Sequence, residues 1–312
     1  MNESQIVDFV GLVMMASVPY ILAAQGTMLP GRTGLFFVSQ EAIMMVGASV
    51  GFLVSYHLGS LFLGMVAAMI AGGVFGLVLA YFTTSLKMDQ FVIGLATFFL
   101  GMGLASLLFK LFVGVTLTPP IIPTLKPVAI PFLSQIPIIG PILFNQNILV
   151  YFSILLSLFL YYFLYWTSWG MNLRAIGENP KAADSLGIDV VKQTYITAIL
   201  GGMMMGLAGA YLPMVYTGTY TEGIVQGRGW LAIALTFFGG WTPHLILLGS
   251  LFFAGVEVLA LRVQLGGMGI PHQFLRMLPY LATILVMIFA FRNVRPPAFL
   301  GLNYDRESRT GS

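Results

Sequence analysis

Residues 58–83 read LGSLFLGMVAAMIAGGVFGLVLAYFT, a stretch of 26 residues that contains no charged side chain. About 20 apolar residues in an α-helix cross the ~30 Å hydrocarbon layer of a membrane, so this stretch predicts a transmembrane helix. The rest of the chain is similar, since 58% of its 312 residues are hydrophobic, 8% are charged and the mean hydropathy is +0.92. This composition excludes a soluble globular protein and supplies about nine spans.

The other apolar runs are separated by glycine, proline and charged residues. With the first stretch, they predict spans at about 6–29, 34–56, 58–83, 90–113, 147–166, 193–216 and 272–291, and a longer run over 230–262. The sequence Gly-Gly-Trp-Thr-Pro at 239–243 divides that longer run into two short spans. We therefore expect an all-α integral membrane protein with about nine transmembrane helices, folded as a single transmembrane domain over residues 1–312.

Lysine and arginine residues predict the orientation, because they concentrate in cytoplasmic loops. If the arginine-rich tail at 292–312 is cytoplasmic, nine of the fourteen basic residues lie inside and at most five lie outside. The segment 167–192 is then cytoplasmic, and the stretch 114–146 forms an external loop. The seven prolines of that loop argue against a helix within it.

The pentapeptide Leu-Gly-Ser-Leu-Phe occurs twice, at 58–62 and at 248–252. A Gln-Phe pair then opens the next span in both places. These matches predict a duplication that relates residues 6–113 to residues 193–291. The two copies begin on opposite sides of the membrane, so the repeat is inverted, as in transporters that build a pathway between their repeats.

Small residues also recur at every fourth position, which lets helix backbones approach closely. These small residues predict a packed bundle interior. They are Gly64, Ala68, Gly72, Gly76 and Ala80 in one span and Gly202, Gly206 and Ala210 in another.

The longest polar stretch between spans includes residues 174–187, which read RAIGENPKAADSLG. Asn179 is a favourable N-cap, Pro180 suits the first helical position, and Gly187 can end the helix in a left-handed conformation. The spacing predicts a two-turn helix over about 180–186 on the cytoplasmic face. Such a helix is either a rigid element that docks into a partner or an ordinary connection between spans.

Charged side chains inside a span are costly and often line a pathway. Glu41 lies seven residues into the second predicted span, where it either lines the pathway or pairs with Arg32 or backbone amides. Glu257 has Arg262 and Arg276 available for a structural ion pair. The other pathway candidates are Gln25, Gln40, Glu222, Arg228 and Trp230. Glu222 and Arg228 fall in an external loop, where they either gate the entrance or contact an external partner protein, or, as the default interpretation, are simply solvated.

The segment 174–188 resembles the coupling segment of ABC importer permeases of the branched-chain amino acid, ribose and nucleoside group. Four further stretches resemble the nucleoside-type branch, namely QEAIMMVGA at 40–48, PIIGPILFNQN at 137–147, GRGW at 227–230 and FGGWTP at 238–243. The similarity extends in order over nearly the whole chain. It departs at Lys181, where the wider family has glutamate, and at Arg276, where relatives carry an apolar residue.

The resemblance implies a permease subunit in the bacterial cytoplasmic membrane, surrounded by lipid and paired with a paralogous permease subunit. Its other partners would be a cytoplasmic ATP-binding subunit and an external substrate-binding lipoprotein. The residues expected to couple it to the ATPase are Glu178, Asn179, Pro180, Lys181, Ala182, Ala183, Asp184 and Gly187. Ala183 is small, so we expect it to face a closely fitting cleft of the partner.

The sequence contains no Gly-Lys dipeptide and therefore no phosphate-binding loop of the type Gly-x-x-x-x-Gly-Lys-Ser/Thr. We expect ATP and magnesium to bind to the partner ATPase, and no cofactor, metal, catalytic residue or nucleic acid on this chain. An ion-coupled secondary transporter is the main alternative, with Glu41 and Glu257 as its acidic candidates. An intramembrane enzyme is a further alternative without a recognisable catalytic set. The residues do not separate a nucleoside from a sugar such as ribose.

Overall fold

The structure, a computed structural model, describes residues 3–114, 119–131, 134, 139–265, 272–290 and 295–305. Its first helices are α1 Glu3–Gly31, α2 Gln40–Leu58, α3 Leu61–Ala80 and α4 Gln90–Val113. They are followed by α5 Ile139–Leu143, α6 Ile148–Trp166, α7 Ser168–Glu178, α8 Pro180–Ser185, α9 Val190–Tyr211, α10 Arg228–Phe238, α11 Pro243–Leu265 and α12 His272–Ala290. Short π-helical turns extend α3 over Tyr81–Ser85 and α9 over Leu212–Thr217.

Seven helices in the described part of the chain are long and apolar enough to cross a membrane, namely α1, α2, α3, α4, α6, α9 and α11. The predicted division of the run 230–262 is present, but its second half is a full-length helix of 23 residues rather than a short span. Its first half, α10, has 11 residues. At 1.5 Å per residue, α10 measures about 16 Å, roughly half of the hydrocarbon layer. Nine crossings remain a prediction.

The bundle is packed through small residues on α2, α3 and α9. All five members of the predicted small-residue series on α3 are buried. A methyl group added at Gly72 would overlap the carbonyl oxygen of Gly202, and one added at Gly47 would overlap that of Gly206. The predicted close packing is therefore confirmed, and α9 lies in backbone contact with both α2 and α3.

Two non-helical segments interrupt this bundle, one over 32–39 before α2 and one over 218–227 before α10. Gly34 has a left-handed backbone (φ 86°), and the chain then continues without helix to residue 39. The helix of the second predicted span consequently begins at Gln40, and residues 34–39 of that span are not helical. Glu41 lies in the first turn of α2 rather than deep within a helix.

The proline-rich stretch 114–146 contains the short helix α5 and two strands, β1 Val128–Ala129 and β2 Asn145–Gln146, which pair in antiparallel orientation. The expectation that prolines exclude a helix is wrong for α5. Pro141 is its third residue, within the first turn, where a backbone N–H has no helical partner to lose. Residues 115–118, 132–133 and 135–138 of this stretch lie outside the described residues.

Candidate functional site

The carboxylate of Glu41 joins the beginnings of two helices. Its Oε1 accepts a hydrogen bond from the backbone nitrogen of Gly227 and its Oε2 accepts one from that of Gly229, both at 2.8 Å. These amides belong to the start of α10, where the helix dipole favours a negative charge. A methyl group at Gly229 would overlap the backbone nitrogen of Glu41, so the close approach requires glycine there. Of the predicted alternatives, the backbone amides are the observed partners of Glu41.

Arg228, the first residue of α10, points into the protein and forms an ion pair with Glu257 of α11. The second carboxylate oxygen of Glu257 accepts a hydrogen bond of 3.0 Å from the hydroxyl of Tyr20 on α1. Both members of the pair are mostly buried. The expectation of a solvated Arg228 is therefore wrong, because the non-helical segment 218–227 returns the chain into the bundle before α10 begins.

Neither of the predicted partners of Glu257, Arg262 and Arg276, contacts it through an atom that the structure describes. The guanidinium of Arg262 lies over the ring of Phe9, 5.1 Å from its centroid. The side chain of Arg276 lies outside the described residues. Arg32 binds the carbonyl oxygen of Trp241 at 2.6 and 2.9 Å, near the end of α10, rather than Glu41. The segment 32–41 thus contacts α10 near both of its ends.

A proline in α1 helps to position Tyr20. Pro19 has no N–H, so it cannot bond to the carbonyl oxygen of Met15 as a regular helix would require. The hydroxyls of Tyr211 and Tyr216 donate to that oxygen instead, each at 3.0 Å. This arrangement fixes α1 against the end of α9 immediately before Tyr20, whose hydroxyl then reaches Glu257. We name Glu41, Arg228, Glu257 and Tyr20 the polar centre.

The side chains of the other pathway candidates make their contacts with other groups. Gln25 is buried and donates to Ser157 and to the carbonyl oxygen of Pro243, so it ties α1 to α6 and α11. Gln40 donates to the nearby carbonyl of Phe37. The ring of Trp230 is 42% exposed and packs against Phe98.

Glu222 is the remaining candidate, and it is exposed in the non-helical segment before α10. Its carboxylate accepts a hydrogen bond from Ser106 and lies 3.0 Å from the Nζ of Lys110. Sequence reasoning missed Tyr20, although its place directly after a proline inside an apolar helix was visible.

The predicted cytoplasmic helix is α8. The side chain of Asn179 accepts a hydrogen bond from the backbone nitrogen of Ala182, Pro180 is the first residue, and Gly187 has a left-handed backbone (φ 82°). The helix ends at Ser185, one residue before the predicted end. A second helix that the sequence analysis missed, α7, precedes it directly.

The orientation of α8 differs from the expectation for Ala183. This side chain is 1% exposed and packs with Ile176 and Val190 inside the protein, so it does not face a partner's cleft. The outward side carries Glu178, Asn179, Ala182 and Ser185. Leu186, which the prediction omitted, is 81% exposed at the end of α8. We name these five residues the coupling surface.

The C-terminal segment 295–305 is not a separate tail, because it packs across the loop after α1 and the end of α7. The backbone nitrogen of Phe299 donates to the carbonyl of Gly177 just before α8, and that of Gly301 donates to the carbonyl of Gly34 before α2. Gln90 reinforces this connection, since it accepts from the nitrogen of Phe36 and donates to the carbonyl of Leu302. The coupling surface is thereby linked to the segment that leads to Glu41.

The described residues contain no group of three or more histidine, aspartate or glutamate side chains that could hold a metal ion. The polar centre instead offers an ion pair, a carboxylate held by backbone amides and one phenol hydroxyl, which are groups that can form hydrogen bonds with a polar solute.

Residues 9–290 match the family described as the branched-chain amino acid transport system, permease component. The chain is 30% identical to a candidate glucose ABC transporter permease of Haloferax volcanii, over 94% of the chain and 95% of the relative. It is also 30% identical to the guanosine ABC transporter permease NupQ of Bacillus subtilis, over 93% of the chain and 94% of the relative. A nucleoside ABC transporter permease of Lactococcus lactis is 36% identical over 56% of each chain. The chain therefore belongs to the permease family of branched-chain amino acid transport systems.

Proposed function

We propose that the chain is a permease subunit of an ATP-driven nucleoside importer in the bacterial cytoplasmic membrane. The observation that carries this proposal is its similarity, over more than nine-tenths of both chains, to a guanosine ABC transporter permease. The partners are a second, paralogous permease subunit, a cytoplasmic subunit that binds and hydrolyses ATP, and an external substrate-binding lipoprotein. A sugar importer is the second candidate, because a candidate glucose permease is equally similar.

The chain crosses the membrane nine times in this proposal, as an inverted repeat. The order α1, non-helical segment, α2, α3, α4 recurs as α9, non-helical segment, α10, α11, α12. Each non-helical segment completes a crossing together with the helix that follows it, which accounts for the short α10. Discontinuous helices of this kind often bound substrate sites in transporters.

Cysteine labelling tests this topology in a chain that has no native cysteine. Thr124 and Ser185 are both exposed, and contacts support opposite sides for them. Leu125 bonds to Met214 at the end of α9, whereas Ser185 follows the segment that bonds to Phe299. An impermeant thiol reagent is expected to label Thr124→Cys, but not Ser185→Cys, in intact cells. Labelling of Ser185→Cys without cell lysis would contradict the nine-span arrangement.

The coupling surface serves, in this proposal, as the docking site of the ATPase. A displacement of α8 reaches the segment 32–39 through the hydrogen bonds of Phe299 and Gly301, and that segment leads directly to Glu41. The polar centre lies at the start of α10, and the segment 32–41 contacts α10 near both of its ends. ATP hydrolysis can therefore change access to the polar centre without a nucleotide site on this chain.

Reconstituted uptake tests the function. Proteoliposomes that contain both permease subunits and the ATPase, with the receptor added outside, are expected to accumulate tritiated guanosine when ATP is enclosed. Unlabelled nucleosides should compete and glucose should not, because the proposed substrate is a nucleoside. Uptake of glucose in place of guanosine would support the sugar importer. Guanosine uptake driven by an ion gradient without ATP would contradict both candidates.

A further inference from the structure

A cavity of about 370 Å³ opens between α1, α10, α11 and α12. Its volume falls within the range of about 300–1,000 Å³ that is typical of small-molecule sites. Its polar wall contains Tyr20, Arg228 and Glu257 of the polar centre, together with Gln226 and Tyr280. The cavity therefore lies where the start of α10 meets three membrane helices.

The ion pair of Arg228 and Glu257 lines this cavity instead of lying in a solidly packed interior. A buried ion pair commonly stabilises a protein no better than apolar residues of the same volume, so stability alone gives little reason for one here. Each oxygen of Glu257 accepts one hydrogen bond, from Arg228 or from Tyr20, and a carboxylate oxygen can accept a second. The pair thus offers hydrogen bonds to the cavity without a net charge.

Apart from Gln264, the remaining wall is apolar and consists of Leu231, Ala260, Leu261, Leu275 and Pro279. A ligand that satisfies both walls has a flat, weakly polar face and an edge with several donors and acceptors. Among the described residues that line the cavity, Arg228 and Glu257 are the charged ones, and they neutralise each other. A phosphate group would lose its hydration there without gaining a counter-charge. A free sugar would leave the apolar wall uncovered.

We propose that the permease itself binds an uncharged nucleoside in this cavity, with the polar edge at Arg228 and Glu257 and the flat base against the apolar wall. The inference rests on the proposed function. It adds a selective binding site within the membrane subunit, separate from the receptor that delivers the substrate.

Direct binding tests this site in the complex of permease subunits and ATPase, held in lipid nanodiscs without the receptor. Tritiated guanosine is expected to bind saturably, and GMP and glucose should displace it at least about tenfold less well than guanosine does. If a complex that imports guanosine with its receptor shows no saturable binding alone, the inference is overturned and the proposed function stands. A complex that imports no nucleoside in any condition overturns the proposed function as well. Equal displacement by GMP would show that the site does not select against charge.

Two tryptophan substitutions on α11 provide a matched pair. Leu261 lines the cavity and is 53% exposed, whereas Leu259 is 52% exposed and does not line it. Leu261→Trp should fill the cavity and weaken guanosine binding about tenfold, and Leu259→Trp should change it by less than about twofold. Equal affinities in the two variants would overturn the site. If Leu261→Trp lowers membrane abundance, Tyr280→Phe removes one hydroxyl from the wall and is expected to reproduce the loss of affinity against the same control.

Discussion

Replacing Leu186 with aspartate is expected to abolish ATP-driven uptake and to prevent copurification of the ATPase. Leu186 is 81% exposed immediately after α8, directly before the left-handed Gly187. Burial of a leucine side chain in a partner's cleft contributes about 1.5–3 kcal/mol. Aspartate removes this contribution and adds a carboxylate that must lose its hydration on docking. Membrane abundance should stay normal, because the side chain makes little contact within its own chain.

Met88→Asp is the control for this substitution. Met88 is an exposed apolar residue of the loop before α4, outside the coupling surface. We expect its replacement to change ATPase copurification by less than about twofold. If Leu186→Asp copurifies with the ATPase and shows receptor-stimulated ATP turnover at the normal rate, α8 is an ordinary connection between spans.

Replacing Glu41 with glutamine is expected to lower uptake about tenfold or more, while membrane abundance and ATPase assembly remain normal. The wild-type carboxylate accepts hydrogen bonds from the backbone nitrogens of Gly227 and Gly229. In Glu41→Gln the amide NH₂ group must face one of these donors, and the favourable charge at the start of α10 is lost. The first turn of α10, which carries Arg228, then keeps only one of its two hydrogen bonds to the Glu41 side chain.

Glu222→Gln is the matched control, because it removes a carboxylate from the segment 218–227, which precedes α10, without removing a group of the polar centre. The ion pair of Glu222 with Lys110 is exposed, and such pairs contribute about 0–1 kcal/mol. Uptake should therefore change little. If Glu41→Gln transports normally, then Glu41 only caps the start of α10 and has no role in the pathway. Loss of assembly together with transport would indicate a purely structural role.

The coupling surface shows which features depend on local sequence. The limits of α8 follow from Asn179, Pro180 and Gly187, because capping and left-handed geometry involve residues within a few positions of each other. Which side of α8 is exposed was not predictable in this way. Ala183 is buried by Ile176 and Val190, and a bulky replacement there would disrupt the chain's own packing before any partner's cleft.

The polar centre shows the opposite case. Glu41 and Glu257 were identifiable as costly charges in apolar surroundings, but their partners were not. The hydrogen bond from Tyr20 to Glu257 joins residues 237 positions apart, and those from Gly227 and Gly229 to Glu41 join residues 186 and 188 positions apart. Several lysine and arginine side chains were available as partners for each carboxylate, and composition alone does not show which of them pairs with it.

By itself, the sequence determined that the chain lies in a membrane, where seven of its helices run, how α8 is capped and that small residues bring the helices together. These properties depend on hydropathy, helical periodicity and the geometry of neighbouring residues. The tertiary structure alone decided that α2 and α10 begin against each other, that Arg228 neutralises Glu257 beside a cavity and that residues 295–305 join α8 to the segment before Glu41. Each of these depends on where a non-helical segment ends in space, and long-range packing sets that position.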